Sequence, residues 1–324
     1  MQHAIHHIEN TPLAAGYSPS LAAIISTAAY LPIIEALKTL HAHQYDAPVL
    51  YTECTDDAAP ALIDACIRKN TVAISLGDVP YTPADRPFSA AIVTPSTDAG
   101  QEDLYCPVWT HPQLETLSII GFQTYLSSPD SLAWLHDHFY ETLRLGAFRD
   151  NTALAEPLLR ESAHTFFNLC AVRAADAPDT RQPSPNGLYA EEICQLAAFA
   201  GRALKLTSFH LAGVGPGLDS QSLTAQTAAH TLWHLLEGIA VRNRLDISDK
   251  SEEHLERMIV EMDDHGKTLE FLHDTITGHW WLQIPLADGR CRYIPCLHED
   301  YLRAGRHEIP VRWLLYSQKF NKNP

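Results

Sequence analysis

The residues in this sequence best spaced for metal chemistry are imidazoles. His230 and His234 stand four apart in a stretch of helical pattern, which puts both rings on one face, the geometry of a helical zinc pair. No Glu follows His230, and Trp233 lies between the two, so the expected role is surface or packing. His136 and His138 flank Asp137 and would point to different faces of a helix. His41 and His43 share that spacing, and His6-His7 could take up stray metal without making a site. The seven cysteines are odd in number and widely spaced, with no Cys-x-x-Cys pair, which fits thiols in a reducing compartment. Cys170, at the end of a β-like run, is the thiol best placed for a Cys–His nucleophile. Gly213-x-Gly215-x-Gly217 lacks the spacing and the following Lys of a phosphate loop.

The elements that must position these groups alternate in type. A helix begins at Ser18-Pro19, and the run Leu21–Leu37, interrupted by Ser26, Thr27, Pro32 and Glu35, reads as a packed helix and not a membrane span. Val49–Glu53 reads as a strand, Ala58–Arg68 as a helix, and Thr71–Leu76, Ala90–Thr94 and Leu117–Tyr125 as strands. Pro129–Leu145, closed by Gly146, and Leu154–Ser162 follow as helices. Thr165–Val172 is then a strand, Leu188–Ala200 a helix, Leu206–Leu211 a strand and Leu223–Arg244 a long helix. Strands separated by helices imply parallel βαβ units with helices on both faces. After Arg244 a charged helix, Ser251–Met262, leads into three β-like runs, Thr268–Phe271, Trp280–Leu286 and Arg292–Pro295. Asp288-Gly289 supplies a hairpin turn between the last two. The expected organisation is an α/β domain over 1–244 and an antiparallel β appendage over 245–324 packed on it.

In a parallel sheet, ligands bind at the carboxyl ends of the strands. The residues there are Leu76-Gly77-Asp78-Val79, Thr94-Pro95-Ser96-Thr97-Asp98, Phe167-Asn168-Leu169-Cys170 and Gly213 to Asp219. Pro185 to Glu192 stands at a helix start.

With these segments in view, the chain resembles the ureohydrolases (arginase, agmatinase and formimidoylglutamase), and most of all a divergent formimidoylglutamase-like branch from Bacteroidetes. The likeness runs from about Leu114 to Phe320 and is carried by ETLSIIGFQTYLSSP, LRLGAFRDN, AVRAADAP, SPNGLYAEEICQLAAFAG, KLTSFHLAGVGPGLDSQSLTAQTA, GHWWLQIPL and YIPCLHEDYLRAG. The first hundred residues match only faintly. The resemblance implies a three-layer α/β/α fold with a mainly parallel sheet, here with the small C-terminal β appendage. It also implies chemistry by two Mn²⁺ that turn a bridging water into hydroxide. Hard cations of this kind need carboxylates and imidazoles, which the family supplies from Gly-Gly-Asp-His, Asp-Ala-His-x-Asp and Ser-Phe-Asp-x-Asp. On those positions this chain carries Val79 for the ligand His, Thr94 and Ser96 ahead of Asp98, and Asn168 and Cys170 for two Asp residues. Glu192 matches a Glu that contacts the substrate's amidine in the family; as a first-turn carboxylate it also suits the helix dipole. Asp176 reads as a loop brace and Asp219 as a cap or turn residue.

The expected reading is therefore a catalytically degenerate family member without metal or cofactor, in a binding or assembly role with a small-molecule or protein partner and possible homo-oligomerisation. The alternative is an active hydrolase of linear amidines, with Mn²⁺ held by other residues. A balance of 23 Lys+Arg against 39 Asp+Glu, net −16, argues against nucleic-acid and anionic membrane partners. No basic residue precedes the first apolar run, so a cytoplasmic location is expected.

Overall fold

The computed structural model describes residues 5–7, 22–79, 81, 83, 86–98, 106–242, 254–262 and 267–321. The start expected at Ser18-Pro19 lies outside them. The chain divides into two compact units, one of Met1–Leu132 with Thr142–Arg242, the other of Ala133–Glu141 with Asn243–Pro324.

Among the described residues, nine strands form one sheet: β1 (Ile5–His7), β2 (Ala22–Ser26), β3 (Val49–Glu53), β4 (Val72–Leu76), β5 (Phe88–Val93), β6 (Leu114–Phe122), β7 (Glu141–Arg144), β8 (His164–Asn168) and β9 (Ser208–Ala212). Their order is β1-β3-β2-β4-β9-β8-β5-β6-β7, and the pairings from β1 through to β6 are parallel. β2, β4, β5 and β9 are buried along their whole length, as parallel strands covered on both faces must be. The helices are α1 (Leu31–Lys38), α2 (Ala59–Arg68), the single turn α3 (Cys106–Trp109), α4 (Pro129–Asp137), α5 (Leu145–Asp150), α6 (Ala155–Glu161), α7 (Ala190–Arg202) and α8 (Leu223–Val241). One face of the sheet packs under α1, α7 and α8 in a single apolar cluster that includes Ile24, Ile74, Phe167, Phe209, Leu196 and Leu232. α2 lies against β2 and β4. α7 and α8 meet backbone to backbone: a Cβ on Gly201 would overlap the Leu235 carbonyl, and one on Gly238 the Ala198 carbonyl. No described helix is long and apolar enough to cross a membrane.

Three expectations from sequence are corrected. The run read as a helix from Leu21 to Leu37 is strand β2, then a 3₁₀ turn at Ala28–Tyr30, then α1. A short apolar run buried on both sides carries no period that separates strand from helix. The helix read from Pro129 to Leu145 stops at Asp137, where Phe139 turns left-handed (φ 53°) and the Tyr140 N–H bonds back to the Leu135 carbonyl at 3.0 Å. β7 and α5 take the rest. The charged helix read over Ser251–Met262 is, from Leu255 on, a strand.

That strand, β10 (Leu255–Met262), belongs to the second unit. It pairs antiparallel with β11 (Lys267–Asp274), which pairs β12 (Trp280–Pro285), which pairs β13 (Cys291–Cys296). α9 (His298–Gly305) and α10 (Val311–Asn321) complete the unit. Met262, Phe271, Trp280, Leu282 and Ile294 form its core with Ala304, Trp313 and Tyr316. Within the same unit, Glu141 accepts from Arg312 at 2.7 Å and from the Tyr316 hydroxyl at 2.8 Å.

At the amino ends of β8 and β9, a buried polar chain links the two strands. His164 Nδ1 and His210 Nε2 each lie 2.8 Å from Ser208 Oγ, all three residues being buried. The His210 ring stacks on Phe166 and Tyr81. Burial, with Arg86 nearby, lowers the His164 pKa to about 3, and burial drives that of His210 down as well. Both are neutral in the folded protein, whereas the unfolded chain takes up protons near the ordinary value of about 6.5. Their contribution is fully present above pH 6.5 and is lost as pH falls from there toward 3. For His164 alone the expected loss between pH 7.5 and pH 5 is about 2 kcal/mol. Urea unfolding at the two pH values should show that loss, with a shallower slope in His164→Phe. A parent whose stability is flat across the window contradicts the assignment.

Candidate functional site

Because the strands run parallel, all six positions singled out around the ligand motifs lie at the carboxyl edge of the sheet. Val79 follows β4, Thr94, Ser96 and Asp98 follow β5, Asn168 ends β8 and Cys170 stands two residues on. Five of them fall into two separately bonded groups, while Val79 is buried and its carbonyl accepts from the Tyr81 N–H at 2.8 Å. The first is assembled on Gly213, just past β9. The Gly213 N–H donates to Asp78 Oδ1 at 3.1 Å, and its carbonyl accepts from the Arg181 N–H at 3.0 Å and the Cys170 thiol at 3.5 Å. Asn168 Oδ1 accepts from the Cys170 N–H at 2.9 Å and lies where a Cβ on Gly213 would be. Gly213 adopts φ 92°, a conformation that costs glycine little. The Arg181 guanidinium is ion-paired with the Asp78 carboxylate. Beside them the Val214 N–H donates to the Tyr30 hydroxyl at 3.1 Å. Burial raises the Tyr30 pKa to about 12.

Cys170 is 5% exposed, and burial pushes its thiol pKa upward against the pull of the Gln182 and Arg181 N–H groups and the Thr180 hydroxyl. A nucleophilic cysteine needs the opposite shift and an adjacent base. Among the described residues no His lies in bonding contact with it.

The second group is bound to β6 and to the segment after it. The Thr94 N–H continues the β5–β6 ladder by donating to the Ile120 carbonyl at 3.1 Å. Ser96 Oγ donates to the Leu126 carbonyl at 2.6 Å and accepts from the Asp98 N–H at 3.1 Å. Asp98 Oδ1 accepts from the Ser128 N–H at 2.8 Å. Burial acts to raise the Asp98 pKa, but the Ser128 amide and the Ser128 and Ser131 hydroxyls outweigh it and hold the carboxyl below its ordinary value. Among the described residues no bond joins Asp98 to Asp78, Asn168 or Cys170. At the end of β6 a polar rim follows: Asn186 Nδ2 donates to Gln123 Oε1 at 2.7 Å and to the Tyr125 hydroxyl at 3.1 Å. Tyr125 is 69% exposed.

Glu192, the position matched to an amidine contact, is committed to the start of α7. It accepts from Arg149 Nε at 3.0 Å and Nη2 at 3.3 Å, and from the Tyr189 N–H at 2.8 Å. Arg149 and Arg173 sit over the Tyr189 ring, each 4.2 Å from its centre. Asp176 braces the loop through Arg173 at 2.8 Å and the Ala190 N–H at 3.0 Å. Asp219 makes a turn through the Gln221 N–H at 2.7 Å, while Ser222 caps α8. His230 and His234 lie on α8, whose Trp233 donates to the His41 carbonyl at 2.8 Å.

Two members of the Gly213 group, Arg181 and Tyr30, went unmarked in the sequence reading. Arg181 had a visible signal, since it is the sole Lys or Arg between Arg173 and Arg202, in a loop that must cross the carboxyl edge. Tyr30 had none, being one apolar residue inside a run misread as helix. Among the described residues, no three His, Cys, Asp or Glu side chains are grouped so as to hold a metal ion.

With this geometry in hand, solved structures give the architecture. The formiminoglutamase of Trypanosoma cruzi superposes with a TM-score of 0.61 at 13% identity, over 69% of this chain and 94% of that one. The formimidoylglutamase of Bacillus subtilis superposes with 0.63 at 15% identity, over 74% and 91%, and the arginase of Bacillus cereus with 0.53 at 13%, over 67% and 98%. The chain has the arginase-type α/β fold. At these identities the likeness establishes the fold alone. No protein-family model matches the chain, and no curated protein matches it by sequence.

The arrangement at α7 predicts that Glu192 is structural. Replacing it by Ala removes both the Tyr189 cap and the Arg149 partner, at an expected cost of about 2 kcal/mol, while Glu192→Gln should keep part of the cap and cost about half as much. Thermal unfolding of the two variants measures this. Parent-like stability in Glu192→Ala would leave the carboxylate free for another role.

Proposed function

We propose that this chain is a catalytically degenerate protein of the arginase-type fold that works without manganese, in a binding or assembly role. The observation that carries the reading is the Arg181–Asp78 ion pair. A carboxylate at the end of β4, where hard cations would draw on such groups, is neutralised by a side chain of the protein itself and by the Gly213 N–H. The donors around it do not fit two Mn²⁺. Asn168 offers a neutral amide oxygen already bonded to the Cys170 N–H, Cys170 a buried thiol whose pKa is raised, and Val79 nothing. Thr94 and Ser96 offer hydroxyls, and Asp98 is taken up by Ser128. Manganese of this kind needs carboxylates and imidazoles converging on one point. The reading includes a small-molecule or protein partner, met at the polar rim of Gln123, Tyr125 and Asn186, and a cytoplasmic location. The acidic balance of the chain argues against nucleic acid and anionic membrane as partners.

Metal addition is the direct test. The melting temperature of the purified protein should be unchanged by chelator and by micromolar Mn²⁺, because no ligand of the native state is removed or supplied. A rise of several degrees with Mn²⁺, or near-stoichiometric Mn in elemental analysis, would turn the reading to its alternative, an active hydrolase of linear amidines such as formimidoylglutamate.

A reconstruction tests the register of the positions. Val79→His, Thr94→Asp, Ser96→His, Asn168→Asp and Cys170→Asp, combined with Arg181→Met to remove the competing cation, should create Mn²⁺ affinity. Crowded carboxylates without a cation repel one another, so the apo variant should be less stable than the parent and should recover on Mn²⁺ binding. Titration calorimetry reads the affinity directly. A folded variant that binds no metal would mean that these positions do not converge.

A further inference from the structure

Independently of that reading, the second unit carries a sheet edge along which no described strand pairs. In the four-stranded sheet, β10 is an outer strand: it pairs β11 without a break from Leu255↔Asp274 to Met262↔Lys267. Among the described residues no strand pairs with its other edge. Alternate residues take opposite faces. Met258, Val260 and Met262 turn toward the apolar core of the unit, and Arg257, Ile259 and Glu261 form an exposed row on the other face. Ile259 is 61% exposed. Sheet proteins normally guard such an edge with Pro, charged side chains, an inward charge or a bulge. β10 contains neither Pro nor Lys, and its register with β11 is unbroken. Its charges are Glu256, on the core side near one end of the strand and paired with His273, and Arg257 and Glu261 on the exposed row.

We propose that two copies of this chain pair antiparallel through β10 about a two-fold axis at Ile259, joining their four-stranded sheets into one of eight strands. A two-fold axis perpendicular to the sheet requires some residue to face its own copy, and the charges select which. Centred on Arg257 or Glu261, like charges oppose each other. Centred on Met258, Ile259 faces the second copy's Arg257, and centred on Val260 it faces the second copy's Glu261. Centred on Ile259, Arg257 faces the second copy's Glu261, Glu261 faces the second copy's Arg257, and the exposed isoleucines cover one another. Directly opposed opposite charges and apolar pairs are the contacts that stabilise antiparallel strands. Arg257 is already oriented, its Nε 3.2 Å from Glu270 Oε1 on β11, with Glu270 in turn accepting from the Tyr293 hydroxyl at 3.1 Å. Parallel in-register addition would set Arg257 on Arg257 and Glu261 on Glu261. The same charges therefore oppose that mode of stacking and leave a closed dimer.

Sedimentation of the full chain at tens of micromolar should show a dimer, a strength suited to a contact of one strand per copy. Ile259→Lys puts two ammonium groups on the axis and should weaken association at least tenfold. Arg257→Glu alone and Glu261→Arg alone each create two like-charge pairs and should be monomeric. Mixed one to one, these two variants should form a heterodimer, because each then meets its opposite charge. Circular dichroism and melting temperature establish that the variants are folded; Glu261→Arg disturbs no described intramolecular bond. A monomeric parent overturns the proposal, as does a dimer that survives Ile259→Lys. So does a mixture of folded Arg257→Glu and Glu261→Arg proteins that fails to associate.

Discussion

The carboxyl ends of β4, β8 and β9 keep one spacing because all three, and the loop carrying Arg181, bond to or close upon Gly213. Its N–H holds Asp78 from β4, its carbonyl holds the Arg181 amide and the Cys170 thiol, and its bare Cα leaves room for the Asn168 carboxamide. A side chain at this position would displace the amide oxygen that fixes the turn after β8 and would strain a backbone at φ 92°. Two further contacts follow from that junction. Tyr30 reaches it from beyond β2 through the Val214 N–H, and Arg181 reaches Asp78 because its own amide is already anchored on Gly213.

The rest of the unit is secured elsewhere, which is why the fold can persist whatever the carboxyl edge holds. Four central strands are buried on both faces, and α7 and α8 touch through Gly201 and Gly238 at a separation no larger residue permits. The polar chain through Ser208 lies at the amino ends of β8 and β9. None of these features uses a residue of the Gly213 group. Apolar burial carries the stability, so the edge residues are free to change chemistry without unfolding the sheet.

Much of this architecture was legible in the sequence, and the failures have physical causes. β3 is read to the residue, and β4, β5, β8, β9, α2, α7 and α8 to within a few, because Gly, Pro and charged breaks bound their apolar runs. β2 failed because a fully buried strand has no polar face to reveal its period. β10 failed because Glu256, Arg257 and Glu261 look like a solvated helix, whereas the alternation of Met258, Val260 and Met262 against Arg257, Ile259 and Glu261 has the period of a strand. At the carboxyl edge, strand ends could be read from sequence, so Asn168, Cys170 and Asp98 were marked. Which of them bond to each other could not be, because that depends on loops that bring Arg181 and Ser128 from far along the chain.

A guanidinium and a metal ion both neutralise a carboxylate, and the difference between them decides what such a site can do. A divalent ion has open coordination positions and lowers the pKa of a bound water far enough to yield hydroxide at neutral pH. Arginine keeps its protons, offers only N–H donors in a fixed plane and has no position at which water becomes a base. Paired with Asp78, Arg181 supplies the structural half of an ion's role, holding the end of β4 to the loop before α7. The catalytic half needs a base and a polarised water. The groups nearest to hand are a buried thiol with a raised pKa, a phenol pushed to about 12 and a neutral amide. Of these, the thiol and the phenol keep their protons near neutral pH. Around them the edge presents a half-exposed cation, Arg181, and the polar rim of Gln123, Tyr125 and Asn186.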